Sequence, residues 1–433
     1  MYFPGARPRR ILRRLRVVLP FAAALAAAPL AAQEGPTATP AVFQRYAERV
    51  VKIQVVETGS GARASTGSGF FVSPGGHLVT NYHVVSQLVH DPGRYRAELV
   101  DGAGKTHPVA VLAIDAVHDL AVLRAGLRTP RHFQLGAAPL DQGDRLYSLG
   151  HPSDLGLSIV EGTYNGHLRH TLYPRIHFTG SINPGMSGGP TITGDGRVVG
   201  VNVSTAGDQV SFLVPADRVA PLVARALAPG YRPPASLLAE VGRQVRANQD
   251  VYLRGMFAGR VRTVRLGPYR VATEPAPYFR CWGDAMRGRE QPYESVQHFC
   301  STDDYLFIAG DQQSGVVTLS HQLIATRTLN PSRFFALYTS IFAADETPGG
   351  QEEHVTSWRC GTRNLRNTAD TPLRAVLCVR RYRKLGELYD AVLKVAVLGR
   401  RDTGLVSTLV LSGVSYENVG RVASRYLETV TWR

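Results

Sequence analysis

The sequence predicts two unlike folds in tandem, an all-β region over residues 41–228 and an α+β region over 236–433. Three observations carry this reading. From Val50 to Ala216, short apolar runs alternate with turn residues such as Asp101-Gly102, Asn165-Gly166 and Gly194-Asp195-Gly196, the pattern of a barrel or sandwich. Residues 229–235 then form a Pro-rich linker, because Pro233-Pro234 after Gly230 stops a helix and stiffens the chain. Beyond it, helix-period segments appear among longer strands, with no internal repeat.

Length and composition fit this division. A chain of 433 residues suits two or three domains, and 44% apolar with 19% charged residues describes a globular protein rather than a disordered one. The formal charge is +15. Residues 1–32 hold six arginines and no acid, so +9 belongs to the rest. Lysine occurs only at positions 52, 105, 384 and 394. The remaining arginines are scattered as on a solvated face, and no motif points to nucleic acid.

In chain order, residues 1–32 read as a signal peptide. Arg7, Arg9, Arg10, Arg13, Arg14 and Arg16 make a basic start, and Val17 to Leu30 is an apolar stretch too short for a membrane span. Cleavage after Ala32 leaves no stable span; an uncleaved anchor in the inner membrane is the alternative. Residues 33–40 are a polar linker. Phe43 to Val50 suggests a helical turn leading into a strand over Val50 to Val55. Further strands are expected at 67–72, 96–100, 109–114, 145–149, 157–161, 176–179 and 198–203, with a closing helix over 217–227. In the second region, helices are expected over 236–248, 331–342 and 416–430. Strands are expected over 251–257, 260–266, 305–309, 316–320, 375–380, 388–398 and 405–411, in a largely antiparallel sheet.

One stretch carries chemistry: Gly180-Ser181-Ile182-Asn183-Pro184-Gly185-Met186-Ser187-Gly188-Gly189-Pro190. Glycines on both sides of Ser187 allow a tight loop that presents the hydroxyl and aims backbone N–H groups at one point. An ordinary glycine-rich turn would read the same, because a serine is a poor nucleophile without a base and an orienting carboxylate. Both occur upstream, His83 in Thr80-Asn81-Tyr82-His83-Val84-Val85 and Asp119 at the head of Leu120-Ala121-Val122-Leu123. With these three blocks in this order, and with Gly196 to Asn202 and Val210 to Pro215, the sequence resembles the chymotrypsin-fold serine proteases, in particular the HtrA/Deg branch. The resemblance covers residues 41–228.

That resemblance implies a double six-stranded barrel with the active site between the barrels. It implies His83 as base, Asp119 as its orienting carboxylate and Ser187 as nucleophile. Asp115 is the rival carboxylate, read as a turn residue. The resemblance also implies an oxyanion hole from the N–H groups of Gly185 and Ser187, in a loop able to flip, with the Met186 side chain facing the cleft. Ser181 stands at the base of the specificity pocket and Val203, Ser204 and Thr205 at its wall, which argues against cleavage after Arg or Lys and for small or medium apolar residues. Residues 236–433 show no Gly-apolar-Gly-apolar loop of the PDZ kind.

The cysteines are Cys281, Cys300, Cys360 and Cys378, none at zinc-site spacing. In an oxidising compartment they are candidates for two disulfides. Three connectivities are open, and pairing 281 with 300 and 360 with 378 closes loops of similar length. No metal or organic cofactor is called for.

The expectation is an exported serine endopeptidase acting on polypeptides, unfolded proteins included, in envelope quality control. Two other readings are a regulatory protease whose second region selects a few substrates, and a binding or sensing protein on a protease scaffold. HtrA proteins are often trimers, and no feature of this chain decides its assembly.

Overall fold

The computed structural model describes residues 38–136, 139–256, 261–288, 291–302, 304–310, 312–343 and 347–432. The expected signal peptide lies outside them. Residue 38 onward forms one compact unit, and no helix among the described residues is long and apolar enough to cross a membrane.

After helix α1 (Ala38–Tyr46), six antiparallel strands close the first barrel: β1 (Val50–Glu57), β2 (Arg63–Phe71), β3 (His77–Thr80), β4 (Tyr95–Val100), β5 (Thr106–Asp115) and β6 (Leu120–Ala125). Their order around the barrel is β1-β2-β3-β6-β5-β4. Helix α2 (Tyr82–His90) leaves the end of β3. The second barrel closes in the order β10-β11-β12-β9-β8-β7. Its strands are β7 (Arg145–Gly150), β8 (Ser158–His167), β9 (Ile176–Phe178), β10 (Pro190–Ile192), β11 (Val198–Thr205) and β12 (Ser211–Pro215). Helix α3 (Ala216–Leu227) follows. Closure removes the sheet edges that short strands would otherwise leave unpaired. The expected double six-stranded barrel is therefore present.

The second region opens with α4 (Leu237–Gly255), capped by the Ser236 hydroxyl, which accepts from the Ala239 N–H. Of the strand expected over 251–257, Val251 to Gly255 continue α4 instead, and residue 257 lies outside the described residues. Val241, Val245, Tyr252 and Leu253 form one buried stripe while Val251 is 67% exposed on the opposite face, so the helical period overrides the local β-branched bias. The strand expected from Arg260 begins at Thr263.

The main sheet has seven antiparallel strands. In spatial order they are Phe279–Met286, Glu294–Thr302, Val317–Ala325, Thr403–Val414, Tyr389–Val397, Pro372–Arg381 and Arg359–Arg366. Helices α5 (Pro331–Ala343) and α6 (Tyr416–Leu427) contact its two central strands. The two outermost strands were not expected from sequence. Both are polar and largely exposed, so neither carries the alternating apolar signal of a half-buried strand. Each is joined to its neighbour by a disulfide between directly opposed residues, Cys281–Cys300 and Cys360–Cys378.

The two regions share a core. Ile53, Tyr82 and Val85 of the first barrel pack in one apolar cluster with Val245 of α4 and with Leu306 and Ile308. The linker is seated as well, for the Tyr231 hydroxyl donates to the Leu112 carbonyl at 3.1 Å.

Candidate active site

His83 is the second residue of α2, so its backbone N–H is one of the helix's unpartnered donors. Asn81 occupies the N-cap position, where an Asn side chain ordinarily caps the helix, but makes no such bond. Its amide donates instead to the Asp119 carbonyl at 2.8 Å. The Asp119 carboxylate takes over the cap. Oδ1 accepts the His83 N–H at 2.8 Å, and Oδ2 holds His83 Nδ1 at 2.6 Å. Asp119 has φ +60°, a conformation that Asp tolerates better than most residues. One carboxylate thus ends the helix and fixes the imidazole, with Nδ1–H toward Asp119 and Nε2 left to face a reacting group. Burial pushes the His83 pKa down, but the charge and hydrogen bond of Asp119 outweigh it, and the net shift is upward.

Asp115 is accounted for elsewhere. It accepts from the N–H groups of Val117 and His118 and pairs with His118 Nδ1 at 2.8 Å, as a turn-stabilising residue does.

Ser187 is held from both barrels. Its carbonyl accepts the Ser68 N–H at 2.7 Å. Ser68 Oγ donates to the Gly185 carbonyl at 2.7 Å and accepts the His151 N–H at 2.9 Å. From the other side, Asn202 Nδ2 donates to the Met186 carbonyl at 3.2 Å, and Asn202 Oδ1 accepts from Ser148 and Thr191. Gly188 has φ +85°, and a Cβ there would lie 2.3 Å from Thr80 Oγ1, immediately before the Asn81–His83 turn. Only glycine lets the serine loop lie this close to β3. The structure thus brings His83, Asp119 and the Ser187 loop together. Among the described residues no hydrogen bond links Ser187 Oγ to His83.

Gly185 has φ +94°. The Pro184 carbonyl is turned away to accept the Ser153 N–H at 3.0 Å. Neither the Gly185 nor the Ser187 N–H donates to an acceptor among the described residues, so both are available to an oxyanion. Met186, expected to face the cleft, is fully buried instead. It packs with Ile176, Phe178, Ile182 and Leu213 inside the second barrel, because a large apolar side chain gains more from that interior than from the cleft. Ser181 is exposed, as are Ser204 and Thr205, and Val203 is half-buried. Ser211 links the two stretches, for its hydroxyl accepts the N–H of Ile182, next to Ser181, at 3.1 Å and it pairs with Thr205 across β11–β12.

Sequence reading missed Asn81, Ser68 and Asn202 as positioning residues. The available signals were a serine between two glycines in β2 and an asparagine within the apolar run of β11. Of the described residues, Cys281, His298 and Cys300 have a metal-ligand arrangement, and both thiols are spent in the disulfide.

Comparison with known proteins agrees with this fold. Residues 67–201 match the model of the trypsin-like peptidase domain, and the two closed six-stranded barrels are those of a chymotrypsin-fold serine-protease domain. More narrowly, the domain is HtrA-like. It is 33% identical over 192 residues to the mitochondrial serine protease HTRA2 of Bos taurus, covering 41% of each chain. It is 35% identical over 147 residues to a probable periplasmic DegP-like serine endoprotease of Chlamydia pneumoniae, covering 33% of this chain and 29% of that one. The crystal structure of Deg5 aligns at 29% identity and a TM-score of 0.39, covering 45% of this chain and 97% of that one. The chain spans less than half the length of the two curated relatives.

Proposed function

We propose that the protein is a serine endopeptidase in which Ser187, His83 and Asp119 act as a triad. The observation that carries this reading is the His83–Asp119 pair beside a serine loop with two free N–H groups. In this mechanism His83 Nε2 takes the Ser187 hydroxyl proton as Oγ attacks the peptide carbonyl. The Gly185 and Ser187 N–H groups stabilise the oxyanion, and each such donor contributes about 100- to 1000-fold in rate. The protonated imidazole then gives its proton to the leaving amine, an acyl-enzyme remains on Ser187, and water releases it by the same steps. No metal or cofactor takes part. Rim residues Ser181, Val203, Ser204 and Thr205 carry no charge, which favours cleavage after small or medium apolar residues.

Substrates in this reading are polypeptides, unfolded ones included, and the place of action is the periplasm, as for the DegP-like relative. A regulatory role with few substrates is the second reading. It is favoured by the packing of residues 306–308 on the helix that carries His83. Incubation with a fluorophosphonate probe and an unfolded protein substrate, beside Ser187→Ala, tests the proposal. Labelling and cleavage are expected only with Ser187 present, and cleavage by Ser187→Ala would overturn it.

A further inference from the structure

In the first barrel, four residues, Ala116–Asp119, join β5 to β6. A connection this short has few side chains with which to cover the outer flank of the His83 ring. The second region supplies a wall there. The strand Leu306–Ala309 lies along α2, and the buried Tyr82 hydroxyl donates to the Ile308 carbonyl at 2.8 Å. The adjacent Phe307 places its ring edge-on to the imidazole, with centroids 6.0 Å apart and planes at 71°. The same segment grips the second barrel. The Leu172 N–H donates to the Asp304 carboxylate at 2.5 Å, and the Tyr173 hydroxyl accepts from Asn248 of α4 at 2.5 Å.

We infer that Phe307 is a specificity-determining residue, the apolar wall of the substrate cleft beside His83, contributed by the second region. This rests on the proposed triad. Phe307 lies on the acyl side of the cleft. Residues 168–175, which the segment touches, run directly into β9, where Phe178 pairs with Ser211, the partner of Ile182 next to Ser181. The opposite side of the serine loop is already filled, since a Cβ on Gly67 would meet Val84 at 2.5 Å and the Ser187 carbonyl at 3.0 Å. The strand is a wall and not a plug, for the His83 side chain keeps 28% of its surface exposed and Phe307 is itself half-buried. The substrate residue just N-terminal to the cleaved one therefore packs across the open faces of these two touching rings and is favoured when apolar. A hydrophobic contact of this size discriminates by about 10- to 200-fold.

The test uses the full chain and peptides that differ only at that residue, Val or Leu against Gly. Binding is read by fluorescence anisotropy in the Ser187→Ala background and hydrolysis with Ser187 intact. The expected result is at least about a tenfold preference for the apolar peptides, seen mainly in KM. Phe307→Ala should collapse the ratio and Phe307→Leu should keep most of it. No preference in the parent, an unchanged ratio in Phe307→Ala, or an equal loss or gain for every peptide in that variant would overturn the inference. A parent that discriminates in binding but hydrolyses no peptide would overturn the proposed function and leave the wall standing.

Discussion

At His83, one carboxylate both caps a helix and fixes a base, and this makes the site's response to change specific. Asp119→Asn would put an amide where the Nδ1–H must be accepted, so the wrong tautomer is favoured. Hydrolysis should fall about 10⁴-fold, measured as kcat against an unfolded substrate with the fold checked by circular dichroism. The base works only when neutral. Because Asp119 raises the His83 pKa against the opposing effect of burial, activity should fall on acidification from a pH above the ordinary histidine range. A kcat/KM profile with its ascending limb at or below that range would contradict this assignment. Ser68 is a residue of a different kind. It is fully buried and its hydroxyl joins the Gly185 carbonyl to the His151 N–H. Ser68→Ala leaves both without a partner, at a cost of about 1–3 kcal/mol. The oxyanion loop should loosen, with kcat falling more than KM rises. The motifs around His83, Asp119 and Ser187 were legible because each sits in a short run of telling neighbours. Ser68 was not, because its partner Gly185 is 117 residues away, and no local pattern encodes a contact of that range.

At the scale of elements, the seven-stranded sheet has two exposed edges, and each disulfide staples one edge strand to its inner neighbour. An edge strand with few buried side chains has little apolar gain to offset its ordering entropy, and a cross-link over 18 or 19 residues offsets part of it. The Cys360→Ser/Cys378→Ser double variant should lose about 3 kcal/mol, read from denaturant unfolding. Faster amide exchange should be confined to residues 359–366. The sheet also buries a charged pair, with Arg380 Nε 2.8 Å from Asp390 Oδ2 and side chains 8% and 4% exposed. Asp390 Oδ1 accepts from the Tyr382 hydroxyl and the Gly413 N–H. Arg380→Ala strands the carboxylate and should cost about 3–5 kcal/mol. Strand period revealed four inner strands of the sheet, such as Tyr389–Val397, but missed the inner strand Glu294–Thr302 and both edges, Phe279–Met286 and Arg359–Arg366. Burial on one face creates the period, and an edge strand in water has almost none to display.

On the scale of the whole molecule, the second region completes the first. Tyr82, Val85 and Val89 are 0–3% exposed, and part of what covers them is Leu306, Ile308 and Val245. A fragment of residues 38–230 would return that surface to water at roughly 25 cal/mol per Å². It should unfold at lower temperature than the full chain and label more weakly with a fluorophosphonate, because α2 carries His83. Equal melting temperature and labelling rate would show that the second region does not support the site. Sequence alone pointed, through its family resemblance, to the two barrels and the residues of the proposed triad, and through side-chain period to the helices and most inner strands of residues 236–433, Glu294–Thr302 excepted. Those depend on side-chain period, on turn residues and on motifs a few residues long, all written in near neighbours. Only the tertiary structure decided that α4 runs on through Val251, that Met186 turns inward, that the serine loop hangs on Ser68 and Asn202, and that Phe307 stands beside His83. The Tyr82–Ile308 bond joins residues 226 apart, and pairings at that range are chosen by the packing of the whole chain, where burial free energy is shared among elements and has no local signature.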